Sequence, residues 1–407
     1  MIRKAALLLA LALTACERVT ELPVRDAVKK NEEERPRHLD SDGDNLLNIA
    51  FGAAVVSRTE ELDLEHSAVQ AVDGMYTTYW ATPRGNANQS LIFSFGAPVR
   101  LDRVGFISRA AAEQLPEKVR FSASPDLRTW REIATITTKV TREPQLASVT
   151  PVEANFLRVD TIDPNDRDGQ IISVQAFGEE IHPAELKSFD GCWTINGERA
   201  LIVQRGGRIT GVIGEGQRVT AIDGGTDGRV ARVMWMRGPM WGYAAMTITA
   251  DGRHLSALSF HKNPLTGYAG RAWLGERCEA KPVFEAMPPA HFINRAGQWT
   301  LNGLVFDERE QLVESMSRDT LDTAVKIIAA APPAQRFRIT AYEFRHGKDE
   351  NRQRTAARIA SLRSALEARG VDLARVDLEA QGDEWDLAEP VFAVQRLLWS
   401  RIDLALR

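Results

Sequence analysis

Few residue patterns in this chain could carry covalent chemistry. The seven histidines stand at 38, 66, 182, 254, 261, 291 and 346, too scattered for His-Glu-x-x-His or any other metal-ligand spacing. There is no Gly-x-Ser-x-Gly elbow and no phosphate-cradling glycine loop. Ser259-Phe260-His261-Lys262 spells the Ser-x-x-Lys of penicillin-binding enzymes. It lies in a strand-like stretch, however, without Ser-Asp-Asn or Lys-Thr-Gly companions. Asp40-Ser41-Asp42-Gly43-Asp44-Asn45 alternates carboxylates as calcium loops do, yet its Gly is fourth rather than sixth, and Phe51 stands where an EF-hand needs Glu. An acidic turn is the simpler expectation. Binding rather than turnover is therefore expected, with no cofactor beyond a structural calcium.

The three cysteines are more informative. Ile2-Arg3-Lys4 is a positive start, and Ala5 to Leu13 is an unbroken run of Ala and Leu, too short to cross a bilayer and suited to an export signal. Leu13-Thr14-Ala15-Cys16 resembles the bacterial lipobox. That resemblance makes residues 1–16 a lipoprotein signal segment with its lipobox Cys, and implies lipidation of Cys16, removal of everything before it, and anchoring by two or three acyl chains. Glu17 after the Cys implies sorting to the outer membrane, facing the periplasm. Cys192 and Cys278 remain, a pair expected to form a disulfide in an oxidising compartment.

A chain of 407 residues exceeds one ordinary domain. Its net charge of −4 implies no basic face and excludes nucleic acid as the expected partner. Residues 17–46 are charged and poor in large apolar side chains, as in Lys29-Lys30-Asn31-Glu32-Glu33-Glu34-Arg35, and predict a solvated tether. Residues 47–181 read as all-β, with period-two runs at Ser90–Phe95, Val119–Ala123 and Ile171–Phe177 separated by turn signals. Residues 186–280 are again β-rich. Gly206-Gly207, Gly224-Gly225, Asp227-Gly228 and Asp251-Gly252 punctuate strands that predict a meander closing into a small barrel. The Pro- and Ala-rich stretch 281–294 reads as a linker. From 295 to 407 strands alternate with helices: strands at Trp299–Phe306, Phe337–Ala341 and Val376–Ala380, and helices at Asp319–Ala331 and Glu350–Arg369, the latter with an Ile359, Leu362, Leu366 stripe. An apolar helix near Val391–Trp399 and a strand Arg401–Leu406 complete it. The expected class is multidomain: a β-sandwich, a small antiparallel barrel and an α/β domain.

Two resemblances attach functions to these segments. Ala71-Val72-Asp73-Gly74, Thr78-Tyr79-Trp80, Arg103-Val104-Gly105-Phe106, Ser122-Ala123-Ser124-Pro125-Asp126 with Trp130, and Phe156-Leu157-Arg158-Val159 occur in that order over 47–181. The series resembles a discoidin module, the coagulation factor C-type jelly roll. It implies ligand binding, to a glycan or another envelope partner, by loops at one end of the sandwich, with His66, Tyr79, Arg84 and Asn86 as candidates. It also implies a structural calcium near Asp73. Residues 295–407 resemble the OmpA-like peptidoglycan-associated domain, through Phe306-Asp307, Ile339-Thr340-Ala341-Tyr342, Gly347, Asn351, Arg358 and Gly370-Val371. That resemblance implies an Asp and an Arg gripping a stem-peptide residue that carries both carboxylate and ammonium. Arg358 matches the Arg, and Asn351 lies two turns away on the same helix face. The Asp position falls on Phe344, and the nearest acid, Glu343, is expected by strand alternation to point away. A scaffold of an envelope complex, binding neither sugar nor peptidoglycan, is the alternative.

Overall fold

The computed structural model describes residues 45–109, 114–163, 165, 167–183, 187–216, 219–226, 228–262, 270–279, 287–383 and 392–407. The expected leader, Cys16 and the tether as far as residue 44 lie outside the described residues. The tether ends sooner than residue 46. Asn45 is buried, donating from Nδ2 to the Val174 carbonyl at 3.1 Å and accepting from the Ala176 N–H at 3.0 Å.

The first body is built from β1 (Ala54–Arg58), β2 (Trp80–Ala81), β3 (Ser90–Ser108), β4 (Lys118–Ser124), β5 (Arg131–Thr137), β6 (Gln145–Ile162) and β7 (Gln170–Glu180). The hydrogen-bonded order is β2-β7-β3-β6-β4-β5, with β1 on β3. Register breaks between Ser94/Val99 and Leu101/Arg103 bend the long pair β3 and β6, so both strands serve two layers of a sandwich. Alternation sends Leu91, Phe93 and Phe95 inward against Phe121, Leu157 and Val159. Burying each such side chain stabilises the fold by about 1.5–3 kcal/mol. Trp80 is a wholly buried core indole.

Eight strands form a closed antiparallel barrel: β8 (Gly191–Ile195), β9 (Glu198–Arg205), β10 (Arg208–Ile213), β11 (Thr220–Thr226), β12 (Val230–Arg237), β13 (Met240–Ile248), β14 (His254–His261) and β15 (Arg271–Arg277). Asn196 and Gly197, at φ 48° and 80°, make the tight turn between β8 and β9 that only such residues adopt readily. Inward positions carry Trp193, Ile195, Ile202, Ile209, Ile222, Val233, Met246 and Leu255, which pack the lumen. Cys192 and Cys278 are disulfide-bonded, their Cα atoms 5.1 Å apart, at the seam where β15 meets β8.

The third body begins inside the expected linker. Residues Pro289–Ala296 form helix α1, stopped by Gly297 at φ 79°. Proline at the first helical position and glycine just past the end are helix punctuation, and Phe292 and Ile293 supply the buried face. Strands β16 (Gln298–Thr300), β17 (Phe337–Tyr342), β18 (Val376–Gly382) and β19 (Ile402–Leu406) pair in the order β16-β19-β17-β18, with β17 and β18 parallel. Helices α2 (Glu314–Ala330) and α3 (Lys348–Glu367) bury Leu321, Ala324 and Ile328, and Ile359, Leu362 and Leu366, respectively. The short helix α4 spans Ala393–Trp399.

The barrel is the hub. Its outward side chains Met234, Met236, Tyr243, Leu258 and Phe260 belong to one apolar core shared with both neighbours. Val55 N–H donates to Ser256 Oγ at 2.8 Å and Thr247 Oγ1 to the Ala53 carbonyl at 2.8 Å, tying the sandwich to β13 and β14. On the other side Trp299 Nε1 donates to Asp223 at 2.9 Å. Arg208 bridges Asp223 and Asp319 at 2.7 and 2.9 Å. A Cβ on Gly225 would stand 2.2 Å from the Asn302 carbonyl oxygen, so glycine there permits backbone-to-backbone packing.

Candidate functional site

One cleft lies at an end of the sandwich, where β3 finishes and β7 starts. Ser108 pairs with Ile171 and Ile107 with Ser173, and that register brings Ile107 and Ile172 together beneath Tyr76 and Tyr79. The cavity, about 170 Å³, is lined by these four with Thr77, Arg109 and Arg142. The Arg109 guanidinium stands over the Tyr79 ring at 4.7 Å. The His66 ring packs on Tyr79 with centroids 4.6 Å apart, tilted by 50°. Asp63 orients that imidazole, 2.8 Å from its Nδ1, while accepting from the Glu65 and His66 N–H groups. Partial burial pushes the Asp63 carboxyl up, but these hydrogen bonds outweigh it and hold the group below the usual carboxylate range. The arrangement sets amphipathic aromatic faces beside fixed cationic and imidazole donors. It suits a ligand with C–H faces and many hydroxyls.

Of the sequence candidates, Tyr79 lines this cleft, and His66 does not line it but packs on the Tyr79 ring. Arg84 and Asn86 do not line it. Their loop is held elsewhere, Gly85 N–H on Asp168 at 3.0 Å and Asn86 Nδ2 on Glu60 at 3.0 Å. Tyr76, Ile107, Arg109, Arg142 and Ile172 were not legible as site residues, since only the β3–β7 pairing and the packing of the loops around it unite them. Asp73 is buried, its carboxylate accepting from Met75 N–H at 2.7 Å and Thr78 Oγ1 at 2.8 Å. Those bonds make it a turn cap, and no group of three His, Cys, Asp or Glu converges among the described residues.

A second cleft, about 260 Å³, opens between the barrel and the α/β body. Thr226 and Arg232 form one side; Phe306, Glu310, Arg354 and Arg358 form the other. Arg358 shares its surroundings with two acids, Glu343 at 2.8 Å and Glu310 at 2.5 Å. The expectation that Glu343 turns away is corrected. β17 ends at Tyr342, so alternation no longer governs the next residue. Glu343 is wholly buried, clasped by Arg345 through two 2.8 Å bonds and by Ser400 Oγ at 2.7 Å. Burial raises its carboxyl, but the Arg345 and Arg358 guanidiniums overcome this and hold it well below the usual range. Arg354 also pairs with Glu310. Asn351 does not reach the cleft. It is buried, donating to the His346 carbonyl at 2.8 Å and accepting from the His346 N–H at 3.1 Å, and so closes the loop before α3.

The sandwich and its end-on cleft define a discoidin-like domain. In agreement, residues 55–174 match the F5/8 type C domain. Among solved structures, the C-terminal domain of a chitobiase from Bacteroides fragilis aligns at 19% identity, covering 32% of this chain and 96% of that one, with a TM-score of 0.30. A family 32 carbohydrate-binding module of a family 31 glycoside hydrolase from Clostridium perfringens aligns at 18% identity over 32% and 93%, with a TM-score of 0.29. The family 32 module of C. perfringens NanJ, solved with galactose, aligns at 18% identity over 31% and 95%, with a TM-score of 0.29. No curated protein matches the chain.

Proposed function

We propose that this protein is a lipid-anchored outer-membrane protein that faces the periplasm and binds an envelope carbohydrate without turning it over. The observation that carries the carbohydrate reading is the Tyr79 cleft, with His66 and Arg109 packed on its ring, in a domain matching F5/8 type C. In calorimetric titration the full chain is expected to bind galactose-type sugars, and Tyr79→Ala to weaken binding about tenfold or more, the ~1.4 kcal/mol of one packed aromatic contact. A variant with unaltered affinity would remove the cleft from the proposal.

Anchoring rests on Leu13-Thr14-Ala15-Cys16. Cys16→Ser is expected to move the protein from the membrane pellet to the soluble fraction after cell lysis; persistence in the pellet would refute a lipid anchor. The strand order β16-β19-β17-β18 and the placement of Arg358 beside Glu343 support an OmpA-like α/β body in contact with peptidoglycan. One observation favours the interaction-scaffold alternative: Glu310 and Glu343 already neutralise Arg358 from within the protein.

A further inference from the structure

Sandwich residues line the sandwich-end cleft, but one of them is buttressed from another body. Tyr76, one of its lining residues, meets Phe392 of the α/β body edge-on, with ring centroids 5.7 Å apart and an interplanar angle of 68°. Phe392 is buried at 3% exposure. Its backbone N–H donates to Gln395 Oε1 at 3.2 Å, tying it to the start of α4. The segment that packs on Tyr79 is in turn braced from the barrel. Gln70, fully buried, donates from Nε2 to the Gly270 carbonyl at 3.0 Å, and Ser67 Oγ donates to Gln70 Oε1 at 2.8 Å. Ser67 follows His66 directly and Gln70 lies four residues after it, so the segment that carries the imidazole is pinned to the barrel.

From these contacts we infer that Phe392 is a positioning residue for the carbohydrate cleft, acting through Tyr76, so that the α/β body shapes the affinity of a site lying in another domain. The inference rests on the carbohydrate reading of that cleft. Its physical basis is preorganisation. An aromatic wall held at one angle before binding loses no rotamer freedom when a sugar settles against it, whereas a ring released on one side must be ordered by the ligand. Sequence separation hides this link, since Tyr76 and Phe392 meet only because the barrel gathers both outer bodies onto one core.

The test uses the full chain and galactose as the probe. Phe392→Leu keeps most of the buried volume and is expected to weaken galactose binding roughly fivefold, the cost of ordering one side chain. Phe392→Tyr retains the ring edge and is expected to restore wild-type affinity, which a general packing role for the position would not require. In the cycle with Tyr76→Leu, the double variant is expected to bind no more weakly than Tyr76→Leu alone, because one acts through the other. Wild-type affinity in Phe392→Leu, or losses that simply add, would overturn the positioning role while leaving the carbohydrate reading intact. A wild-type chain that ignores galactose would sink that reading and this inference with it.

Discussion

Glu343→Ala is expected to destabilise the protein by about 3–5 kcal/mol, the range for removing one member of a buried ion network. The carboxylate is wholly buried and serves Arg345, Arg358 and Ser400 at once. Deleting it removes the two charge-assisted bonds that Arg345 makes to it and takes one of the two acids from Arg358, whose other acid is Glu310. Glu343→Gln, of the same shape but uncharged, should recover part of the loss through its hydrogen bonds while abolishing the pH dependence. Because the folded-state carboxyl is held far below its ordinary value near 4.5, the ion network contributes fully above about pH 4.5. Its contribution is lost as pH falls further, toward and through the depressed folded value. Wild type and Glu343→Gln should therefore differ most at neutral pH and converge in acid, as read from urea unfolding at several pH values. A cost below 1 kcal/mol for Glu343→Ala, or a gap that widens in acid, would show that the network is not what holds this end of β17. Retention on purified peptidoglycan, measured on the same variants, asks whether the cleft beside Arg358 also takes a charged stem peptide.

Removing the barrel disulfide should cost a similar amount. Cys192 and Cys278 are separated by 86 residues, and the chain-entropy treatment of a loop that long yields about 4–5 kcal/mol. The location adds to its importance. Neighbouring barrel strands share up to eight paired residues, as between β12 and β13, whereas β15 and β8 share three. The closing seam is thus the thinnest part of the ladder. Arg277 reinforces it by standing 4.3 Å over the Trp193 ring and donating to the Asp190 carbonyl at 2.8 Å. Cys192→Ser/Cys278→Ser, or treatment with dithiothreitol, is expected to lower Tm by several degrees, with amide exchange rising first along β8 and β15. An unchanged Tm under reduction would mean that packing alone closes the barrel. Because Gly270, just before β15, holds Gln70, loss of the seam should also raise amide exchange in residues 66–70.

Much of the architecture was legible from residue order. Period-two alternation marked β3, β4 and β7, glycine pairs marked the barrel hairpins, and helical stripes marked α2 and α3, because each of these signals is local and repeats along the chain. The pairing of Cys192 with Cys278 followed from the cysteine count and the expected oxidising compartment. By sequence the prolines around Pro289–Ala296 resemble a linker; the segment becomes a helix because Phe292 and Ile293 find a surface to cover.

The sites were decided elsewhere. Tyr79 acquires Arg109 and Ile172 through the β3–β7 register, and Arg358 acquires Glu310 from 48 residues away. Glu343 turns toward Arg358 because its strand has already ended. Phe392 reaches Tyr76 only across the barrel-centred core. Periodicity along a chain determines which face of an element is apolar. Which distant side chains then share a cleft depends on how those faces are buried against one another, and that is settled only in the packed tertiary structure.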